Sequence, residues 1–193
     1  MGEDIVAYMK ARKEIIMMKE KLAFDFGEML KDIGAAISNA ENVENIVYSF
    51  LMPLKERLDF DYGIVLLSDR DNTTLRYTKG FGLTKESENI LGNASVLLNN
   101  PNTFNHYFVR SYRLKQPVVM NELKDAAKIA EDQKVVDVLK ANAFIVCPII
   151  HADKALGVLA VFQKEKKRAL IQRDVNVLMG VTSTIGAHIS KNK

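Results

Sequence analysis

The chain has 193 residues, 48% hydrophobic and 26% charged, which is typical of one globular domain large enough to fold unaided. A net charge of only +3 gives no indication of a nucleic-acid partner, and the single cysteine excludes an internal disulfide and a cysteine-rich zinc site. Because there is also no signal peptide and no apolar run of membrane-spanning length, we expect a cytoplasmic location, with any membrane anchor of a parent protein outside this chain.

The first predicted element is a long helix over residues 3–38, a stretch without proline. Its apolar side chains recur at alternating steps of three and four, as in heptad packing. Arg12 and Lys19 interrupt this pattern, so residues 3–20 fit a helix lying on its own domain and a two-chain coiled coil equally well. From Leu22 to Ala36 the pattern is unbroken and favours packing between two copies.

A polar segment over residues 38–42 ends this helix and can cap the next, which we expect over residues 43–58. Pro53 lies inside that second helix, where it removes a hydrogen bond and should bend the helix near Ser49. Two strands follow over residues 62–68 and 75–81, joined by a polar turn, and they predict a β-hairpin.

The middle of the chain predicts shorter elements. We expect a short helix over residues 84–91, a brief apolar run over 96–98, and a helical stretch over 104–114 after an irregular asparagine-rich connection. Residues 116–120 predict an edge strand, because Pro117 cannot donate to a ladder. Residues 125–141 predict another amphipathic helix.

The strongest pattern is a second hairpin, with arms at residues 144–150 and 155–162. Both arms are apolar at nearly every position, which indicates strands in the middle of a sheet, covered by helices on both faces. A basic, solvated loop over 164–168 and a final helix over 173–190, again with heptad spacing, complete the chain.

Motifs for catalysis are missing from the sequence, which contains no Walker loop, nucleophile elbow, dinucleotide-binding glycine pattern or zinc-binding helix. We therefore predict no catalytic residue. The three histidines match no local ligand spacing, so no metal site is predicted either. Cys147 lies in an apolar strand beside no basic residue, and we expect it to be buried and unreactive.

A small-molecule site, if one exists, is expected between the sheet and residues 98–112. Irregular connections over a rigid scaffold are where binding residues concentrate. This one carries a histidine, two aromatic surfaces for stacking and a guanidinium suited to an anion, namely His106, Tyr107, Arg110 and Tyr112. The alternative is that these side chains simply face water or, for His106 alone, serve ordinary surface or packing roles.

Several segments, in their order and spacing, resemble the GAF domain family. They are Asp59-Phe60-Asp61-Tyr62-Gly63-Ile64-Val65, then Lys115-Gln116-Pro117-Val118-Val119-Met120-Asn121, then Val146-Cys147-Pro148-Ile149-Ile150 with Ala155-Leu156-Gly157-Val158-Leu159, and the closing helix from Asp174. The resemblance covers about residues 40–190.

The resemblance implies an α/β fold of the α+β type: a six-stranded antiparallel sheet with helices on both faces and long terminal signalling helices. It divides the chain into an N-terminal helix (1–40), a core (41–163) and a C-terminal helix (164–193) leading to an output domain beyond this sequence. A histidine kinase or nucleotide cyclase is the class of output unit that such domains regulate.

The same resemblance limits the chemistry. Family members that reduce free methionine sulfoxide use several cysteines, and Cys147 alone cannot exchange disulfides. Members that attach a bilin use a cysteine beside a histidine, a pair this chain lacks. We therefore expect no cofactor, neither haem nor bilin.

These observations favour a sensor that binds an unidentified small molecule and relays a signal through paired terminal helices. The alternative is a ligand-free domain that only dimerises and transmits; an enzyme acting alone fits least well. We expect a homodimer, because the heptad residues of both terminal helices would otherwise form a large apolar patch in water. The predicted contact residues are Leu22, Phe26, Met29, Ile33, Leu178, Thr182 and Ile185.

Overall fold

The computed structural model describes residues 2–121, 141–165 and 168–192; at residues 2–4 and 19–24 it describes the backbone alone. The helices are α1 (Gly2–Ser38), α2 (Val43–Arg57), α3 (Lys85–Gly92), α4 (Tyr107–Leu114) and α5 (Gln172–Asn192), with a 3₁₀ turn at Pro101–Thr103. The strands are β1 (Tyr62–Ser68), β2 (Thr74–Phe81), β3 (Ser95–Leu97), β4 (Val118–Met120), β5 (Ala143–His151) and β6 (Lys154–Gln163). The helix predicted over residues 125–141 falls almost entirely outside the described residues.

The six strands form one sheet in the order β3-β2-β1-β6-β5-β4, and every neighbouring pair is antiparallel. The β5–β6 hairpin lies inside the sheet, as its continuous apolar sequence predicts. The strand after Pro117 lies at the edge, also as predicted. The fold class inferred from the sequence is therefore confirmed.

Each face of the sheet has its own core. On the first face, α1, α2 and α5 pack over alternate residues of the central strands, including Ile145, Cys147 and Leu159. On the second face, α3 and α4 pack over the intervening residues, including Phe144, Val146 and Ala160. Because the strands are buried on both faces, β5 and β6 are apolar at consecutive positions and do not alternate between apolar and polar residues.

The apolar residues of the terminal helices are buried within their own chain, which corrects the expectation that they face a second copy. Met29, Ile33, Leu178, Thr182 and Ile185 are at most 2% exposed, and Phe26 is half-buried against α5. Their spacing is explained by packing on the first face of the sheet. Leu22 lies outside the described side chains, and the homodimer itself stays a prediction.

The first half of α1 projects from this domain with its apolar side chains in water. Every described side chain from residue 5 to residue 18 is exposed, and eight of them are large and apolar. The exposed fractions are Ile5 61%, Val6 68%, Tyr8 68%, Met9 65%, Ile15 54%, Ile16 47%, Met17 60% and Met18 65%. The sequence fitted two arrangements of this half of α1, and the exposure of its side chains among the described residues does not favour packing on its own domain.

Two glycines let α5 lie close to its neighbours. A Cβ added to Gly186 would lie 2.2 Å from the carbonyl oxygen of Ile150 in β5. A Cβ added to Gly180 would lie 2.8 Å from the Phe26 ring of α1. At both positions the missing side chain allows a closer approach than any other residue could make.

Polar groups fix the ends of two helices. The Asn42 side chain accepts from the Asn45 backbone N–H at the start of α2, which continues unbroken through Pro53. The Asp174 carboxylate accepts from the Ile171 N–H and from both terminal nitrogens of Arg168 at 2.7 Å. Burial opposes ionisation of Asp174, but these hydrogen bonds hold its pKa below its ordinary value.

Candidate functional site

The space between α4 and the centre of the sheet is filled by aromatic and aliphatic side chains. The ring of Phe144 in β5 contacts Tyr107 edge-on at 4.9 Å and Phe162 at 5.8 Å. Phe108 and Val109 of α4 are buried in the same cluster. In the part of the chain that the structure describes, the second face of the sheet is therefore closely packed beneath α4.

His106 belongs to this closed core. Its side chain is 1% exposed, its Nδ1 accepts from the Phe108 backbone N–H at 3.3 Å, and its ring lies 5.0 Å from that of Phe108. It is the N-cap of α4. The structure thus gives His106 a role in starting the helix and separates it from the other three predicted site residues.

Tyr107 and Arg110, by contrast, line a cavity of about 210 Å³ between α4 and the edge strand β4. The two residues are one turn apart and lie on the same side of α4. The remaining lining is mostly apolar, with one amide group: Leu114, Gln116, Pro117, Val118, Val119 and Met120. Two of the four predicted site residues are therefore brought together, at the sheet edge rather than over its centre.

The charge in this cavity comes from Arg110. Its side chain is exposed, and within the described part of the chain its guanidinium forms no hydrogen bond or ion pair. A guanidinium presents a planar set of donors that matches a carboxylate or phosphate. With the Tyr107 ring beside it, the cavity can hold a small molecule that has an anionic group and a flat apolar part.

Tyr112, the fourth predicted residue, lies on a different side of α4. Its hydroxyl donates to the side-chain oxygen of Asn72, which lies in the β1–β2 turn, at 3.1 Å. Ser68 at the end of β1 donates to the same oxygen at 3.2 Å. Asn72 has a φ of 53°, a left-handed conformation that asparagine tolerates better than most residues. Tyr112 therefore ties α4 to the β1–β2 turn.

This turn also borders the end of α5. Asn72 and Ser190 both line a second cavity, of about 200 Å³, together with Asp69, Arg70, Lys154 and Leu156. Hydrogen bonds from Thr73 and Thr74 hold the pKa of Asp69 well below its ordinary value and keep the turn's carboxylate ionised. The sequence identified this segment only as a turn; Asn72 in a hairpin loop was the one signal that could have marked it.

A polar pair on the second face was also missed by the sequence analysis. The Tyr77 hydroxyl of β2 donates to the Glu88 carboxylate of α3 at 3.2 Å. Burial, and then the neighbouring negative charge, raise the pKa of Tyr77 above its ordinary value. The pair joins α3 to the sheet.

Cys147 is buried, as expected, in the first-face core. Burial raises the pKa of its thiol to about 12, so almost none of it is thiolate at neutral pH. Among the described residues no cluster of three histidine, cysteine or acidic side chains could hold a metal ion. Nor is any described helix both long and apolar enough to cross a membrane.

A larger cavity lies on the other face, where α1, α2 and α5 meet. It has a volume of about 500 Å³ and combines an apolar floor with two acidic and two basic side chains. Its lining is Asp25, Phe26, Glu28, Met29, Arg57, Leu58, Arg173 and Val177. It opens where the first half of α1 leaves the domain.

Comparison with known proteins identifies relatives by sequence pattern and by structure. The sequence model described as "GAF domain" matches residues 44–190. The GAF domain of Acinetobacter phosphoenolpyruvate-protein phosphotransferase has 16% identity and a TM-score of 0.69, with 86% of this chain and 93% of that one covered. No curated protein sequence matches the chain significantly.

Two further solved structures share the fold. One is a domain of a putative two-component sensor histidine kinase from Sinorhizobium meliloti, with 14% identity, a TM-score of 0.60, and 79% of this chain and 94% of that one covered. The other is free methionine-R-sulfoxide reductase from Neisseria meningitidis with its substrate, with 14% identity, a TM-score of 0.66, and 86% and 89% covered. At these identities the likeness concerns the fold alone.

Proposed function

The chain belongs to the GAF domain family, and from this premise we propose that it is a regulatory sensor module that binds a small anionic molecule and relays its binding to an attached output domain. GAF domains are generally regulatory, although the methionine sulfoxide reductases show that the fold can also support an enzyme. We propose no catalysis for this chain, because its one thiol is buried and protonated.

The observation that carries this proposal is that α4 makes contacts of two kinds. On one side it presents Tyr107 and Arg110 to the 210 Å³ cavity beside β4. On another side, Tyr112 bonds to Asn72 in the β1–β2 turn. A ligand that moves α4 therefore also moves Tyr112, whose hydroxyl is hydrogen-bonded to Asn72.

The relay would then pass to α5. The β1–β2 turn and the last turn of α5 share the 200 Å³ cavity lined by Asn72 and Ser190. The body of α5 is fixed on β5 through the close contact at Gly186. A displaced turn would therefore act on the free end of α5, and we propose that a kinase or nucleotide cyclase output domain lies beyond that end.

A second function is favoured by one observation. The side chains of Phe108, Phe144 and Phe162 pack together over the centre of the sheet. A domain that only dimerises and transmits needs no pocket there. Binding at the α4–β4 cavity distinguishes the two functions.

The test uses benzoate, a small molecule with one carboxylate and one flat ring, and benzamide as its uncharged counterpart. We expect benzoate to raise the melting temperature of the protein at millimolar concentration, and benzamide to have little effect. The variants Arg110→Ala and Tyr107→Ala should each reduce the benzoate shift, whereas Arg70→Ala, a control on the β1–β2 turn, should not. If neither benzoate, acetate nor inorganic phosphate shifts the melting temperature, the ligand-free function is favoured.

A further inference from the structure

The cavity of about 200 Å³ at the end of α5 is bounded by three separate elements. Its lining is Asp69, Arg70 and Asn72 of the β1–β2 turn, Lys154 and Leu156 of β6, and Ser190 of the last turn of α5. A molecule bound in this cavity would therefore contact both central hairpins and the end of the last helix at the same time.

The side chains that lack partners in this cavity are hydrogen-bond donors. Arg70 and Lys154 are exposed, and within the described ranges neither makes a hydrogen bond or an ion pair. The hydroxyl of Ser190 has no partner among the same residues either, whereas Thr184, on the same helix, donates to the Gly180 carbonyl at 2.9 Å. Three cationic or hydroxyl donors are thus available to a ligand.

The amide group of Asn72 supplies a fourth donor. Its side-chain oxygen already accepts from Tyr112 at 3.1 Å and from Ser68 at 3.2 Å. These two hydrogen bonds fix which end of the amide is the acceptor, because the nitrogen could not accept from either hydroxyl. The amide nitrogen of Asn72 has no acceptor in the part of the chain that the structure describes.

The carboxylate that lines the cavity is already used within its own turn. Asp69 accepts from the Thr73 backbone N–H at 2.7 Å, from the Thr73 hydroxyl at 2.6 Å and from the Thr74 hydroxyl at 2.8 Å. These bonds occupy most of its acceptor capacity. The cavity therefore offers a ligand many donors and few acceptors.

We propose that this cavity binds the phosphoryl group of inorganic phosphate or of a small phosphomonoester. Four donors on three elements suit a group with at least three acceptor oxygens, whereas a carboxylate has only two. The bound group would join the β1–β2 turn, the start of β6 and the last turn of α5, and so hold the end of α5 against the sheet. This site is separate from the α4–β4 cavity and does not depend on the function proposed above.

The balance of charge predicts that binding is weak. Two basic side chains and one acidic side chain line the cavity, which leaves one net positive charge. Of the charged residues next to the lining in sequence, Asp71 and Lys191 are exposed and opposite in sign, and Asp153 is paired with Lys115 at 3.5 Å. The carbonyl end of α5 opposes an anion slightly. We therefore expect a dissociation constant in the millimolar range.

Thermal unfolding in inorganic phosphate tests the site. At about ten times the dissociation constant, the melting temperature should rise by about 3–5 °C relative to sodium chloride of equal ionic strength. Arg70→Ala with Lys154→Ala should remove most of this rise. Lys55→Ala with Lys85→Ala, which removes two exposed lysines from α2 and α3, should retain it. Because phosphate also stabilises proteins by exclusion from their surface, the difference between the two double variants measures the site.

Further variants and ligands identify what binds and where. Ser190→Ala should weaken phosphate binding by about two- to fivefold. Glycerol 2-phosphate should bind within about threefold of phosphate, and dimethyl phosphate, a diester with two free oxygens, at least about fivefold more weakly. Arg110→Ala should leave the phosphate effect unchanged although it reduces the benzoate effect, so that the two sites can fail separately.

Backbone amide NMR spectra place the ligand directly. Titration with phosphate should shift residues 70–73, 153–155 and 189–191 together, with a single dissociation constant. The proposal would be overturned by a phosphate effect that persists in Arg70→Ala with Lys154→Ala, by one that Arg110→Ala abolishes, or by the absence of any effect at 50 mM phosphate. Equal binding of dimethyl phosphate would also overturn it, because it would show a general attraction to phosphodiesters.

Discussion

The hydroxyl of Tyr112 donates to the side-chain oxygen of Asn72, 40 residues earlier, at 3.1 Å. This bond is the direct link between the helix that borders the α4–β4 cavity and the turn that borders the end of α5. It joins two segments that no local sequence pattern places together.

Removing this bond should cost little stability but should show coupling between the two residues. We expect Tyr112→Phe to lower the free energy of unfolding by about 0.5–1.5 kcal/mol, the usual net value of one hydrogen bond. Asn72→Gly is the matched change, because glycine accepts the φ of 53°. Urea unfolding of both single variants and the double variant should give a coupling energy of at least about 0.5 kcal/mol, whereas strictly additive effects would show that the contact is unimportant in solution.

The close packing of α5 on β5 predicts a sharp difference between two glycine-to-alanine changes. Gly186→Ala should lower the free energy of unfolding by about 2 kcal/mol or more, because the new methyl would lie 2.2 Å from the Ile150 carbonyl oxygen, which cannot move without shifting β5. Gly34→Ala in α1 has no atom within 4 Å of the new methyl and should stabilise by about 0.5–1 kcal/mol. Equal effects in denaturant titrations would show that α5 does not lie this close to β5.

The buried thiol predicts a loss of stability at high pH. The pKa of Cys147 is about 12 in the folded chain, while an exposed thiol has a pKa of about 8.5. Between these values the unfolded chain releases a proton that the folded chain keeps, so this contribution to stability is complete below about pH 8.5 and declines as the pH rises toward 12.

Comparison with Cys147→Ala isolates that contribution, because Tyr77, whose pKa is also raised, is present in both proteins. We expect the variant to be less stable at neutral pH, since a small cavity forms, but to lose less stability between pH 8 and pH 10. In the native protein, Cys147 should react with a thiol reagent only at the rate at which the fold opens and exposes the thiol. Fast labelling at pH 7, or parallel pH profiles, would contradict the burial of this residue.

Gln163 at the end of β6 is a polar residue buried in apolar surroundings. Its side chain is fully buried on the first face of the sheet, and neither amide atom has a hydrogen-bond partner among the described residues. Replacing it with the similarly shaped Met should therefore raise the free energy of unfolding by about 1 kcal/mol. Gln163→Glu is the opposite control and should strongly destabilise the protein, because it buries a carboxyl group. If Gln163→Met instead lowered the free energy of unfolding, an internal water bound to the Gln163 amide would be indicated.

The sheet could be predicted from the sequence because its signals are local. The arms of both hairpins, the edge position after Pro117 and the terminal helices all follow from residue type and spacing within one segment. The heptad residues illustrate the limit of such reasoning. Met29 and Ile185 have the same spacing whether they face another copy or their own sheet, and only the three-dimensional packing distinguishes the two.

The candidate site could be predicted only in part, because residue type and spacing do not show which neighbour each side chain faces. The sequence placed four polar and aromatic residues on one segment, but the helix that forms there points them in different directions. His106 enters the core, Tyr107 and Arg110 reach the edge cavity, and Tyr112 reaches Asn72. Contacts such as Tyr112 with Asn72 or Tyr77 with Glu88 depend on the register of elements far apart in the chain, which periodicity does not encode.

Backbone amide NMR spectra of the protein and of Tyr112→Phe, recorded with and without benzoate, test the proposed relay from the α4–β4 cavity to α5. In the unsubstituted protein we expect shifts around Tyr107, Arg110 and β4, with a second group in the β1–β2 turn and the last turn of α5. In Tyr112→Phe the first group should persist and the second should be lost. Shifts confined to the 500 Å³ cavity where α1, α2 and α5 meet, or an unchanged second group in the variant, would contradict the proposed relay.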